Sequence, residues 1–114
     1  MKVYHISPKK LRKNILKEGL KPTLGPRSKR FGEIEPKLFF TKNIEHSMKL
    51  SNNLRFNRHP DFTNGIDIWE VKLSDKIKIE NDSKFENGFY TREIVGSLDL
   101  ELVKTFEWMD EKNP

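Results

Sequence analysis

The stretch Ile66-Asp67-Ile68-Trp69-Glu70-Val71-Lys72-Leu73 decides the fold. It is rich in β-branched and aromatic side chains, and its period is two: Ile66 and Ile68 point one way, Trp69, Val71 and Leu73 the other. A strand with one wet face is apolar on alternate positions only. Apolar residues on both faces predict a central strand covered above and below.

Working outward toward the C-terminus, Ile77 and Ile79 keep the same period. Asn87-Gly88 predicts a turn, Phe89–Val95 a strand and Val103–Trp108 another, with a single helical turn over Asp99–Leu102. Toward the N-terminus, a polar loop runs through His59-Pro60 and Asn64-Gly65. Ahead of it, Asn43 is placed to cap a helix carrying Ile44 and Met48 at i, i+4 spacing and fading near Asn52-Asn53. Leu38-Phe39-Phe40-Thr41 is a compact apolar strand. At the start of the chain Val3–Ile6 predicts a strand, and Ser7-Pro8 reads as an N-cap followed by proline at the first helical position. Leu11, Ile15 and Leu16 share a face of that helix, which Gly19 closes at Glu18. Residues 21–37 hold three Pro, two Gly and a run of Lys and Arg, a long basic loop of the kind that usually carries function. The order β-α-β-α-β-β-β-β is α+β, with two short helices early and the strands gathered late. Length and continuity predict a single domain over residues 1–114.

A chain of this length buries roughly two-thirds of its unfolded surface. Its hydrophobic fraction is a lean 34%, but eight Phe and two Trp supply large core pieces. With zero Cys, disulfides, thiolate metal sites and cysteine nucleophiles are excluded together. No apolar run reaches signal-peptide length at the start, and none approaches the roughly 20 residues of a membrane span, so a soluble cytoplasmic protein with no membrane partner is expected. The net charge of +5 hides an asymmetry. Residues 1–58 carry 15 Lys and Arg against 4 Asp and Glu, a balance of +11, whereas residues 59–114 carry 7 against 13, a balance of −6. The basic half calls for an anionic partner.

Several familiar constellations are missing. There is no Gly-rich phosphate loop, no H-E-x-x-H and no G-x-S-x-G elbow. His46 and His59 lack the carboxylate pattern of a zinc site, so no metal is expected. What remains is a set of side chains oddly placed for structure alone. His5 lies inside the first strand, Glu93 interrupts an apolar one, and Phe39-Phe40 are adjacent aromatics. Taken singly, each is more often a core or surface residue.

Their order carries more. A strand bearing Tyr4-His5, a Ser-led helix ending in Glu18-Gly19-Leu20, a basic loop, Phe39-Phe40-Thr41 before a helix, and Arg92-Glu93-Ile94-Val95 late in the chain resemble the ADP-ribosyltransferase superfamily, with its histidine–aromatic–glutamate triad. The opening from Val3 to Leu20 is similar to that of the nucleic-acid-modifying ADP-ribosyltransferase toxins and the RNA 2′-phosphotransferase-like branch. Tyr4–Pro8, Arg30–Glu33 and Leu38–Phe40 also resemble small phage anti-CRISPR ADP-ribosyltransferases. Many members have Tyr where Phe39 or Phe40 stands, and no Ser-Thr-Ser motif is present.

The resemblance implies a fold of mixed or antiparallel split β-sheets, and NAD as cofactor. It makes Glu93 the catalytic carboxylate, stabilising the oxocarbenium-like ribose as nicotinamide leaves. His5 would hold the cofactor's adenosine-side ribose. Phe39 or Phe40 would stack on the nicotinamide ring, with Thr41 beside them, and Ser7 would donate near the ribose or pyrophosphate. Charge alone adds Arg27 and Arg30 as partners of the pyrophosphate. The acceptor would be a protein or a nucleic acid. Other readings stay open: a basic nucleic-acid-binding or inhibitory module without chemistry, a small toxin that cleaves RNA, and a 2′-phosphotransferase-like enzyme.

Overall fold

The computed structural model describes residues 1–22, 36–56, 62, 64–81 and 88–107. β1 (Lys2–Pro8) leads through a 3-10 turn at Lys9–Leu11 into α1 (Arg12–Glu18). β2 (Leu38–Thr41) precedes α2 (Ile44–Phe56), and β3 (Ile66–Lys72) follows. The chain then forms β4 (Glu80–Asn81), β5 (Gly88–Thr91), a 3-10 turn at Ser97–Asp99 and β6 (Leu100–Phe106). The six strands make one sheet in the order β4-β5-β2-β1-β3-β6, and each neighbouring pair is antiparallel. Among the described residues the α+β class and the order β-α-β-α-β-β-β-β are as expected, with the short fourth strand at Glu80–Asn81. In place of two split sheets there is one continuous sheet with a weak joint. β1 pairs with β3 along its whole length, yet meets β2 at a single position, Tyr4 opposite Thr41.

β3 is interior, as its two-sided apolar pattern predicts. Ile66, Ile68, Trp69 and Val71 are all fully buried. One face of the sheet presents Val3, Leu38, Phe40, Trp69, Val71 and Phe89 to Ile15 of α1 and to Leu20 and Val95. Burying a tryptophan of roughly 200 Å² contributes about 5 kcal/mol, so Trp69 dominates this layer. α2 covers the other face, turning Ser47, Ser51 and Leu54 inward at i, i+4, i+7. Its first turn is capped as expected: the Asn43 side-chain oxygen accepts from the His46 amide at 3.0 Å.

Five local expectations are corrected. Ser7 does not cap a helix: it belongs to β1, is buried, and its Oγ accepts from the Trp69 indole Nε1–H at 2.8 Å. A buried indole N–H needs an acceptor, and that need outweighs the local capping preference. Leu11 and Leu16 stand 40% and 57% exposed, leaving Ile15 as the inward residue of α1, because the short helix meets the sheet along one narrow stripe. Ile77 and Ile79 lie outside any strand. The strand expected over Phe89–Val95 stops at Thr91, where Arg92 and Glu93 bend away, and Val95 forms an isolated bridge with Leu20. The last strand begins earlier, at Leu100, since the helical turn falls on Ser97–Asp99.

One buried ionic cluster fastens α1. Asp67 of β3 is fully buried and accepts two bonds from Arg12, at 2.8 and 2.7 Å, and one from Thr105 of β6 at 2.9 Å. The carboxylate raises the pKa of the guanidinium through these hydrogen bonds. Such a pair adds little against an apolar equivalent, but losing one partner strands a charge in the interior at a cost of about 3 kcal/mol or more.

Candidate functional site around the His5 joint

The joint between β1 and β2 is where His5 acts. Alternation along β1 puts His5 on the same face as Val3 and Ser7, the face that carries Trp69 and Phe40. Its Nδ1 lies 2.7 Å from the Phe39 carbonyl oxygen, across the part of the joint that has no strand ladder. A carbonyl only accepts, so Nδ1 carries the proton. Burial pulls the His5 pKa below its ordinary value of 6.5, an effect larger than the opposing one of the Phe39 bond. The ring is thus neutral, its Nδ1–H engaged and its Nε2 holding an in-plane lone pair. That is the state of a hydroxyl acceptor.

The two aromatics of β2 separate. Phe40 meets His5 edge to face, with ring centroids 6.0 Å apart, and is buried against Phe89 at 5.9 Å. Phe39 points to the opposite face, where its ring lies 5.9 Å from that of Tyr90. Phe40 therefore braces the imidazole, while Phe39 contributes its backbone on one face and its ring on the other. Thr41 is engaged at the start of α2, with Oγ1 2.7 Å from Ser47 Oγ and 3.2 Å from the Asn43 carbonyl.

Glu93 sits beyond the end of β5, exposed to solvent. Its Oε2 accepts from the Lys78 amide at 2.6 Å, and its own amide donates to Thr91 Oγ1 at 3.2 Å. Thr91 in turn donates to the Lys78 carbonyl at 2.8 Å and lies opposite Leu38 in the β2–β5 ladder. The structure thus brings His5, Phe39 and Phe40 into contact and places Ser7 two residues along the same face. Glu93 is anchored to the other half of the sheet, without a hydrogen bond or ring contact to those three. Arg27 and Arg30 lie outside the described residues, as do His59, Asn87 and Trp108.

Sequence reasoning passed over the Arg12–Asp67 pair, although a lone Asp inside an apolar strand was a visible signal. It also passed over Tyr90, whose ring carries Lys37 Nζ at 4.4 Å and the Arg92 guanidinium carbon at 5.7 Å from its centroid. Only the register of β2 on β5 brings those three side chains together. Among the described residues no group of His, Cys, Asp and Glu could hold a metal ion, and no helix is long and apolar enough to cross a membrane. No family model, curated protein or solved structure matches the chain.

Proposed function

We propose that the chain is an NAD-dependent mono-ADP-ribosyltransferase that modifies a macromolecular acceptor, a protein or a nucleic acid, in the manner of a small toxin or phage anti-defence effector. The observation that carries this is the imidazole of His5: oriented by the Phe39 carbonyl, its pKa lowered by burial, and its Nε2 without a hydrogen-bond partner among the described residues, able to accept from a hydroxyl. A ribose offers that hydroxyl. The arrangement stands on the strand whose Tyr4–Pro8 segment resembles the family's opening.

When bound, NAD would supply an electrophilic ribose carbon with nicotinamide, keeping the electron pair of the broken bond, as its leaving group, and the acceptor's nucleophile would lose its proton to solvent on adding there. Glu93 contributes a carboxylate with Oε2 fixed by a backbone amide, leaving Oε1 to face developing positive charge. Phe40 keeps His5 from turning. Ser7 accepts from Trp69 and so retains its own proton, a donor held within the core beside the site. By charge alone, Arg27 and Arg30 are the residues assigned to a pyrophosphate.

The test is NAD titration followed by thermal melting and by nicotinamide release. A ligand that binds the native state raises the melting temperature. Glu93→Ala is expected to retain that shift and lose turnover by on the order of a hundredfold or more, and His5→Ala to weaken the shift itself. A melting temperature unmoved at millimolar NAD would overturn the assignment and leave a binding module.

A further inference from the structure

All four cation–π contacts among the described residues fall on one face of the sheet, the face on which α2 lies. Tyr90 carries Lys37 and Arg92, and Phe106 carries Arg55 at 5.2 Å and Lys104 at 5.4 Å. The register explains the first group. Phe39 of β2 stands directly opposite Tyr90 of β5, Lys37 precedes Phe39 by two residues, and Arg92 follows Tyr90 by two. The second group forms where Phe106 of β6 lies opposite Ile66, beside the C-terminal turn of α2. There Phe56 is 84% exposed, a large ring held in water next to Arg55. Contacts of this kind occur roughly once per 70–80 residues, so four on a single face is a concentration.

α2 lies over β1, β2 and β3 and leaves both aromatic groups half-buried at its flanks. Four strand spacings separate β5 from β6 in the sheet order, about 19 Å. Cations over these rings are groups a single-stranded nucleic acid can engage: a base takes the cation's place on the ring without regard to sequence, and the displaced cation meets a phosphate. The charge of the basic half, +11 over residues 1–58, complements the same polyanion. Glu80 at the β4 edge pairs with Arg92 at 3.5 Å and orients that guanidinium across Tyr90, and the register puts Glu70 and Glu101 on the same face.

We propose that the α2-side face, from the Phe39–Tyr90 pair to Phe106, binds single-stranded nucleic acid. This stands apart from the NAD reading and is tested without NAD. If both hold, it assigns the acceptor to nucleic acid.

The experiment is fluorescence anisotropy of a labelled 20-nucleotide single strand, as RNA and as DNA, titrated with the full chain across a salt series. Binding is expected in at least one chemistry, with affinity falling steeply as salt rises. Tyr90→Ala should weaken it roughly tenfold, Tyr90→Phe should preserve it, and Lys37→Gln with Arg92→Gln should flatten the salt slope by about one. Melting temperatures identify any variant that fails to fold, in which case Tyr90→Phe and the charge variants decide. Failure of both strands to bind at micromolar protein in low salt would overturn the proposal. Equal binding of a duplex, equal competition by an acidic polypeptide, or full affinity in a folded Tyr90→Ala would overturn it as well.

Discussion

His5 shows how a single side chain acquires a defined chemical state from its neighbours. The ring sits where a regular ladder would have paired β1 with β2, and it bonds the Phe39 carbonyl instead. Because burial lowers its pKa, the folded protein binds a proton there less readily than the unfolded chain, whose histidine titrates near 6.5. The sign follows: stability is complete above about pH 6.5 and declines as the pH falls from there through the lower folded value. Urea unfolding at pH 7.5 and 5.5 should show a loss on acidification that His5→Gln reduces. An equal loss in both proteins would show that His5 does not govern it. Ser7 teaches a related lesson. Its flanking sequence is that of a helix cap, yet its partner is an indole 62 residues away.

At the scale of elements, the end of α1 and the start of α2 were legible and the inward faces only partly so, whereas α1 begins at Arg12 and not at Pro8, and α2 runs on to Phe56 beyond Asn52-Asn53. Gly19 closes α1 as expected, and the structure gives the reason in two parts. Its φ is +82°, and a Cβ built there would lie 2.2 Å from the Val95 carbonyl oxygen. That carbonyl accepts the Leu20 amide at 2.8 Å, so Gly19 permits the close approach that ties α1's exit to the segment after Glu93. Gly19→Ala should therefore destabilise the protein by about 2 kcal/mol or more, read by thermal or urea unfolding. A loss near zero would mean that the bridge shifts freely. β3 was recognised from its pattern because burial on two sides leaves a direct trace in residue type. The strand expected over Phe89–Val95 was too long because apolar residues at 94 and 95 mimic a continuation. Val95 does bury itself, but against Leu20 after a bend that turns Glu93 outward.

For the whole molecule, the sheet order divides stability unevenly. β1, β3 and β6 form one long antiparallel block and β2, β5 and β4 a shorter one; a single ladder pair and the His5 bond link their backbones, while the shared core and α2 span both. Regions held by fewer backbone bonds open at lower free energy. Native-state hydrogen exchange should find the amides of β2 and β5 exchanging ahead of those in β1 and β3, and uniform protection across the joint would contradict this. Element order, the interior place of β3, the C-terminal end of α1, the start of α2 and the division of charge were all present in the residues, because periodicity, capping and ionisation are local properties. The tertiary structure alone decided that Phe39 and Phe40 part to opposite faces, that Ser7 serves Trp69, that Arg12 finds Asp67, and that Lys37 and Arg92 meet over Tyr90. Each of these depends on strand register, which is set by how the buried faces fit together across tens of residues, and no short stretch of sequence encodes that fit by itself.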